Sequence, residues 1–121
     1  MKTKKVSYEV RLWGIDCPEY TQPFASEARA ISRHYLEGKT IKVQVKYQDR
    51  YDRFIGLATY GNVNINQRLV EDGAAWVYKR YCRAAICRKW TSLEKRARES
   101  GTGLWHSRDP IPPWEWRKEK K

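Results

Sequence analysis

From Val10 to Glu19 the chain reads VRLWGIDCPE, and no other stretch constrains the fold as tightly. Val10 and Leu12 alternate with Arg11, so the arginine leaves a strand on the face opposite the two apolar residues. Gly14 permits close backbone approach or an unusual dihedral. Pro18 stops the strand and keeps Cys17 extended. Asp16 and Glu19 are thereby set in a rigid turn at the strand's end, with Arg11 able to point back toward them. A cation, two carboxylates and a rigid turn outline a metal-assisted phosphoryl site. The same residues also suit a solvated strand arginine followed by an ordinary turn.

Around this stretch the hydrophobic pattern predicts a strand over residues 4–15, with Val6, Tyr8, Val10 and Leu12 on its apolar face. A helix over 23–37 opens on Pro23, shows Phe24, Ala28, Ile31 and Tyr35 at helical spacing, and stops at Gly38. Residues 40–47 alternate as a half-buried strand, with Ile41, Val43, Val45 and Tyr47 on one face. A charged loop over 48–53 leads to a strand over 54–60, closed by Gly61-Asn62. Ile65, Leu69 and Val70 predict a short helix near 64–72, and residues 74–78 an extended apolar run. The stripe Ile86, Trp90, Leu93, Ala97 predicts a last helix ending near Ser100-Gly101. The tail 109–121 carries three prolines, Trp114 and Trp116. It reads as an extended segment packing its tryptophans on the body, or stacking them on bases, with a frayed basic end from Arg117.

The length suits one domain, 1–121, with a real core. The basic start, Met1 to Lys5, is followed by no apolar segment, and no apolar run approaches the roughly 18 residues of a membrane span. The chain therefore reads as a soluble protein without a signal peptide, with secretion and a cytoplasmic life both open. A formal net charge of +11 favours an anionic partner, nucleic acid first. Between Lys79 and Arg98 eight Lys/Arg face one acid, Glu94, either as a nucleic-acid surface or as a solvated helix face. The three cysteines form no tidy framework: Cys82 and Cys87 can pair across a turn or remain free thiols. His34 and His106 stand alone and read as surface or packing residues.

The stretch Arg11 to Glu19 resembles the signature of the staphylococcal nuclease (thermonuclease-like) family, Arg-Leu-x-Gly-Ile-Asp-x-Pro-Glu. Asp49-Arg-Tyr-Asp-Arg53 with the strand after it, the run Val63 to Trp76, and Gly103-Leu-Trp105 resemble further family elements in the expected order. The resemblance extends from about Val6 to Trp116. It implies an α+β fold, an OB-type β-barrel with α-helices packed on it. Only about three strands and three helices are visible here, so the barrel reads as incomplete. The two family strands that normally come first, with their Asp-Gly-Asp-Thr turn, are not in this sequence. Open barrel edges predict self-association by strand exchange.

The resemblance also implies a calcium-dependent nuclease acting on DNA or RNA with little sequence preference. Asp16 matches the calcium-ligating aspartate, and Cys17 would lend its backbone carbonyl to the metal. Glu19 matches the glutamate that orients or deprotonates the attacking water. Arg11 and Arg53 match the two arginines that grip the scissile phosphate, although Arg53 can also simply pair with Asp49 or Asp52. Tyr78 and Tyr81 match, loosely, the tyrosines that contact the nucleotide. The family's second metal aspartate sits in the absent turn, which weakens the calcium site. The alternative function is therefore a nuclease-fold module that binds nucleic acid or protein without cleaving.

Overall fold

The computed structural model describes residues 7–119. Its elements are β1 (Val10–Leu12), β2 (Ile15–Asp16), α1 (Ala25–Leu36), β3 (Lys42–Gln48), β4 (Phe54–Tyr60), β5 (Val63–Asn64), α2 (Ile65–Glu71), β6 (Trp76–Val77), α3 (Ile86–Ser100) and α4 (Pro113–Glu119). Short 3₁₀ turns cover Lys79–Tyr81 and Gly103–His106.

β4 is the centre of the main sheet. It pairs parallel with β1, Val10 opposite Phe54 and Leu12 opposite Gly56, and antiparallel with β3 and with β5. β2 pairs separately with β6, Asp16 opposite Trp76. The long first strand expected from the pattern is thus two short ones. Gly14 breaks it, with φ at +75° and no room for a side chain: a Cβ there would lie 2.9 Å from Cys82 Sγ. Residues 4–6 of that expected strand lie outside the described residues. The sheets are open, and Val45 and Tyr47 remain 50% and 46% exposed on the face that the alternation marks as apolar. This is the arrangement of an incomplete barrel.

The main core gathers Trp13, Ile15, Ile55, Ala58, Ile65, Leu69, Val70 and Trp90 between the sheet and helices α2 and α3. Its polar joint is Asn66, fully buried. Asn66 Oδ1 accepts from the Ala58 amide at 3.0 Å, and Nδ2 donates to the carbonyls of Trp13 at 3.0 Å and Gly56 at 3.2 Å. One side chain thus ties α2 to β4 and to the corner between β1 and β2. A smaller core holds Trp76, Ala97, Leu104 and Trp105, with Trp114 packed against it.

Of the two states open to Cys82 and Cys87, the structure shows the disulfide, which spans the start of α3. One expectation needs correction. The tail is not extended: Pro113 opens α4, where its missing N–H costs no hydrogen bond and its fixed φ suits the first helical turn. The described residues therefore hold four α-helices rather than three. Trp114 does pack on the body, 5.7 Å from Trp76 and stacked on Tyr78 at 4.7 Å.

Candidate nucleic-acid hydrolysis site

A cavity of about 310 Å³ opens at the ends of β1 and β4. Arg11, Arg53, Tyr78 and Tyr81 all line it, joined by Tyr47 and Asp49, over a floor that includes Gly14 and Ile15. The parallel register explains the convergence. Arg11 lies opposite Ile55, so the loop before β4 delivers Arg53 to the same side. Tyr78 and Tyr81 arrive on the turn after β6, which is anchored by the bond from the Tyr78 amide to the Gly14 carbonyl at 2.9 Å.

The two arginines are held differently. Arg53 Nε donates to Asp49 Oδ2 at 2.8 Å, and Asp49 Oδ1 accepts from the amides of Tyr51 and Arg53. What burial Asp49 has raises its pKa, but the hydrogen bonds from Arg53 and Tyr51 outweigh this and hold the carboxyl below its ordinary value. The pairing foreseen as the bland role of Arg53 is therefore real. It engages only Nε, leaving the terminal nitrogens without a hydrogen bond or ion pair among the described residues. Arg11 is exposed and makes no hydrogen bond or ion pair among the described residues. Its charge acts on Asp16.

Asp16, Cys17 and Glu19 do not line this cavity. They form the adjoining turn, as the proline spacing requires, and a residue from the far end of the chain meets them there. Arg117, expected in a frayed end and found in α4, forks onto Asp16, with Nη2 at 2.8 Å from Oδ2 and Nη1 at 3.4 Å from Oδ1. Its Nη1 also donates to Glu19 Oε1. Asp16 is 3% exposed. Burial pushes its carboxyl above the ordinary value, although Arg117 and Arg11 pull it down. Burial, with Asp16 beside it, pushes the free Cys17 thiol up to about 12. Cys17 thus stays a neutral thiol, inert as a ligand through sulfur.

Two carboxylates and a neighbouring backbone carbonyl are hard oxygen donors, right in kind for calcium. They are fewer than a calcium shell requires. Among the described residues no three His, Cys, Asp or Glu side chains gather as a metal cluster. The basic run also sorts itself: Glu94 is buried, accepting from the Val77 amide and from Arg98, whose guanidinium lies over Trp105 at 4.2 Å. Glu94 is thus internal and Arg98 is tied down on its surface side, while Lys79, Arg80, Arg83, Arg88, Lys89, Lys95 and Arg96 are exposed and make no ion pair among the described residues. His34 and His106 are exposed, as expected.

The family model described as "Staphylococcal nuclease homologue" matches residues 9–107. The chain belongs to the staphylococcal nuclease family. It is 37% identical over 114 residues to "Probable staphylococcal-like nuclease CAN1" of Oryza sativa subsp. japonica, covering 94% of this chain and 34% of that protein. The "Staphylococcal-like nuclease CAN1" of Arabidopsis thaliana is 39% identical over 114 residues, with 94% of this chain and 34% of that protein covered. An "Uncharacterized endonuclease" of Escherichia coli O157:H7 is 37% identical over 112 residues, with 92% of this chain and 71% of that protein covered. The chain spans about a third of the length of the plant relatives it matches. No helix among the described residues is long and apolar enough to cross a membrane.

Proposed function

We propose that this chain hydrolyses phosphodiester bonds in DNA or RNA with little sequence preference, and does so with calcium. The observation that carries the reading is the cavity shared by Arg11 and Arg53 beside the Asp16–Glu19 turn. Hydrolysis places additional charge on the phosphoryl oxygens in the transition state, and two planar guanidinium forks are suited to accept it. Arg53 is pre-set by Asp49 through Nε, so it enters the reaction with little orientational freedom to lose. Arg11 is free to close on the phosphate. Tyr78 and Tyr81 flank the cavity where the nucleotide would lie. Glu19, 35% exposed and so within reach of solvent, would orient or deprotonate a water. Asp16, Glu19 and the Cys17 carbonyl would hold calcium, which supplies charge to the developing phosphoryl oxyanion. The relatives' names, nuclease and endonuclease, support the same class of reaction.

One observation favours the second reading, a domain that binds nucleic acid without cutting it: Arg117 already neutralises Asp16 and Glu19. Incubating the chain with denatured DNA, with calcium or with chelator, separates the two. Release of short products that requires both calcium and Arg11 supports hydrolysis. Salt-sensitive binding with no products in either condition leaves the binding domain.

A further inference from the structure

Resting on the calcium reading above, we infer that Arg117 is the resident counter-cation of the Asp16–Glu19 turn and that a divalent cation must displace it to bind. Both carboxylate oxygens of Asp16 are engaged by the Arg117 fork, and one oxygen of Glu19 by the same guanidinium. A metal ligated by Asp16 takes electron density from those same oxygens. A guanidinium and a divalent cation on one buried carboxylate repel each other with little water to screen them.

Arg117 is delivered there by a strap. Gln22 Nε2 donates to the Ile111 carbonyl at 2.7 Å, while Gln22 Oε1 accepts from the Glu19 amide at 2.7 Å. Gln22 thus joins the carboxylate turn to the chain entering α4. Trp116 Nε1 donates to Thr21 Oγ1 at 2.9 Å, one residue from Gln22. On the other flank Trp114 stacks on Tyr78 with an interplanar angle of 17°. Tyr78 lines the phosphate cavity. The helix that engages the metal turn therefore also packs on Tyr78, a residue of the substrate cavity's wall. The strap sets the fraction of molecules that can bind metal, and the apparent affinity falls by that fraction.

Calcium titration by calorimetry on the full chain, alongside Arg117→Gln, reads this directly. Arg117→Gln is expected to tighten calcium binding by about ten- to a hundredfold, as removal of a competing latched state does. Because Arg117→Gln strips a buried carboxylate of its partner, Trp116→Ala provides a second route. It unties α4 from Thr21 while both carboxylates and Arg117 stay in the chain, and calcium is expected to bind more tightly there too, by a smaller factor. In the parent, saturating calcium is expected to speed hydrogen exchange across residues 113–119. Calcium binding that neither substitution strengthens, or exchange that calcium leaves unchanged, overturns the inference and leaves the calcium reading intact. A parent and variants that all fail to bind calcium overturn both.

Discussion

Asn66→Ala tests the joint on which the site's geometry depends. Asn66 is fully buried and makes three hydrogen bonds to backbone groups, two on β4 and one at the corner between β1 and β2. Removing the amide does not orphan all three partners. The Gly56 carbonyl still accepts from the Trp13 amide at 2.8 Å. The Ala58 amide and the Trp13 carbonyl lose the side chain that satisfies them. Each such buried group costs about 1–3 kcal/mol, so the sum is about 2–6 kcal/mol, and partial relaxation places the expected loss near 3 kcal/mol. Asn66→Asp is the sharper control. It keeps the acceptor for Ala58 but turns a carboxylate oxygen toward two carbonyls, so its loss is expected to be at least as large. Urea unfolding followed by tryptophan fluorescence, with the slope checked for constancy, gives both values. An Asn66→Ala loss below about 1 kcal/mol would refute the argument that this amide fixes the corner between β1 and β2.

Further outcomes are expected at and around the site. Arg11→Lys keeps the charge and loses the fork, so it should abolish most cleavage while leaving the melting temperature near the parent's; an unfolded variant would contradict the exposed placement of Arg11. Gly14→Ala combines a left-handed dihedral with a 2.9 Å clash on Cys82 Sγ, and should cost about 2 kcal/mol in thermal or urea unfolding. The Tyr35 hydroxyl is pushed up to about 12 from 10 by burial and by its hydrogen bond to Asp72. The stability it contributes is full below pH 10 and is lost as pH rises through about 12. The stability gap between parent and Tyr35→Phe should therefore close over that window, and a gap independent of pH would refute the bond. Binding of single-stranded DNA, read by fluorescence anisotropy, should weaken by about 0.7 log units per tenfold rise in salt for each phosphate engaged. A flat response would remove nucleic acid as the partner.

The strands and helices whose pattern is local were legible before the fold was known. β4 matches the expected 54–60, α1 and α2 fall within two residues of expectation at each end, and α3 carries the expected stripe and ends at Ser100. Where the reading failed, the deciding contact is distant in sequence. The break at Gly14 depends on Cys82 and Trp90 packing against it from α3 and the turn before it. The helix after the prolines depends on Trp76 and Tyr78 receiving Trp114. At the site, strand alternation makes Arg11 legible as an outward residue, whereas Arg53 is singled out only by the resemblance to the family. Arg117 was not, because nothing local separates it from the lysines beside it. Only the fold brings Asp16 within its reach. One signal was available: Trp114 and Trp116, expected to pack on the body, immediately precede Arg117 and anchor the chain there.

Asp16 and Arg117 are separated by 101 residues. That spacing has a consequence for biosynthesis. A chain emerging from the ribosome completes β1, β4 and α2 before α4 exists outside the exit tunnel, since domains begin to form as their elements appear. During that interval the turn carries two carboxylates with no guanidinium from α4, and Tyr78 lacks the tryptophan that stacks on it. The loop between Asp16 and Arg117 closes only when α4 docks, and its entropy is met at that step.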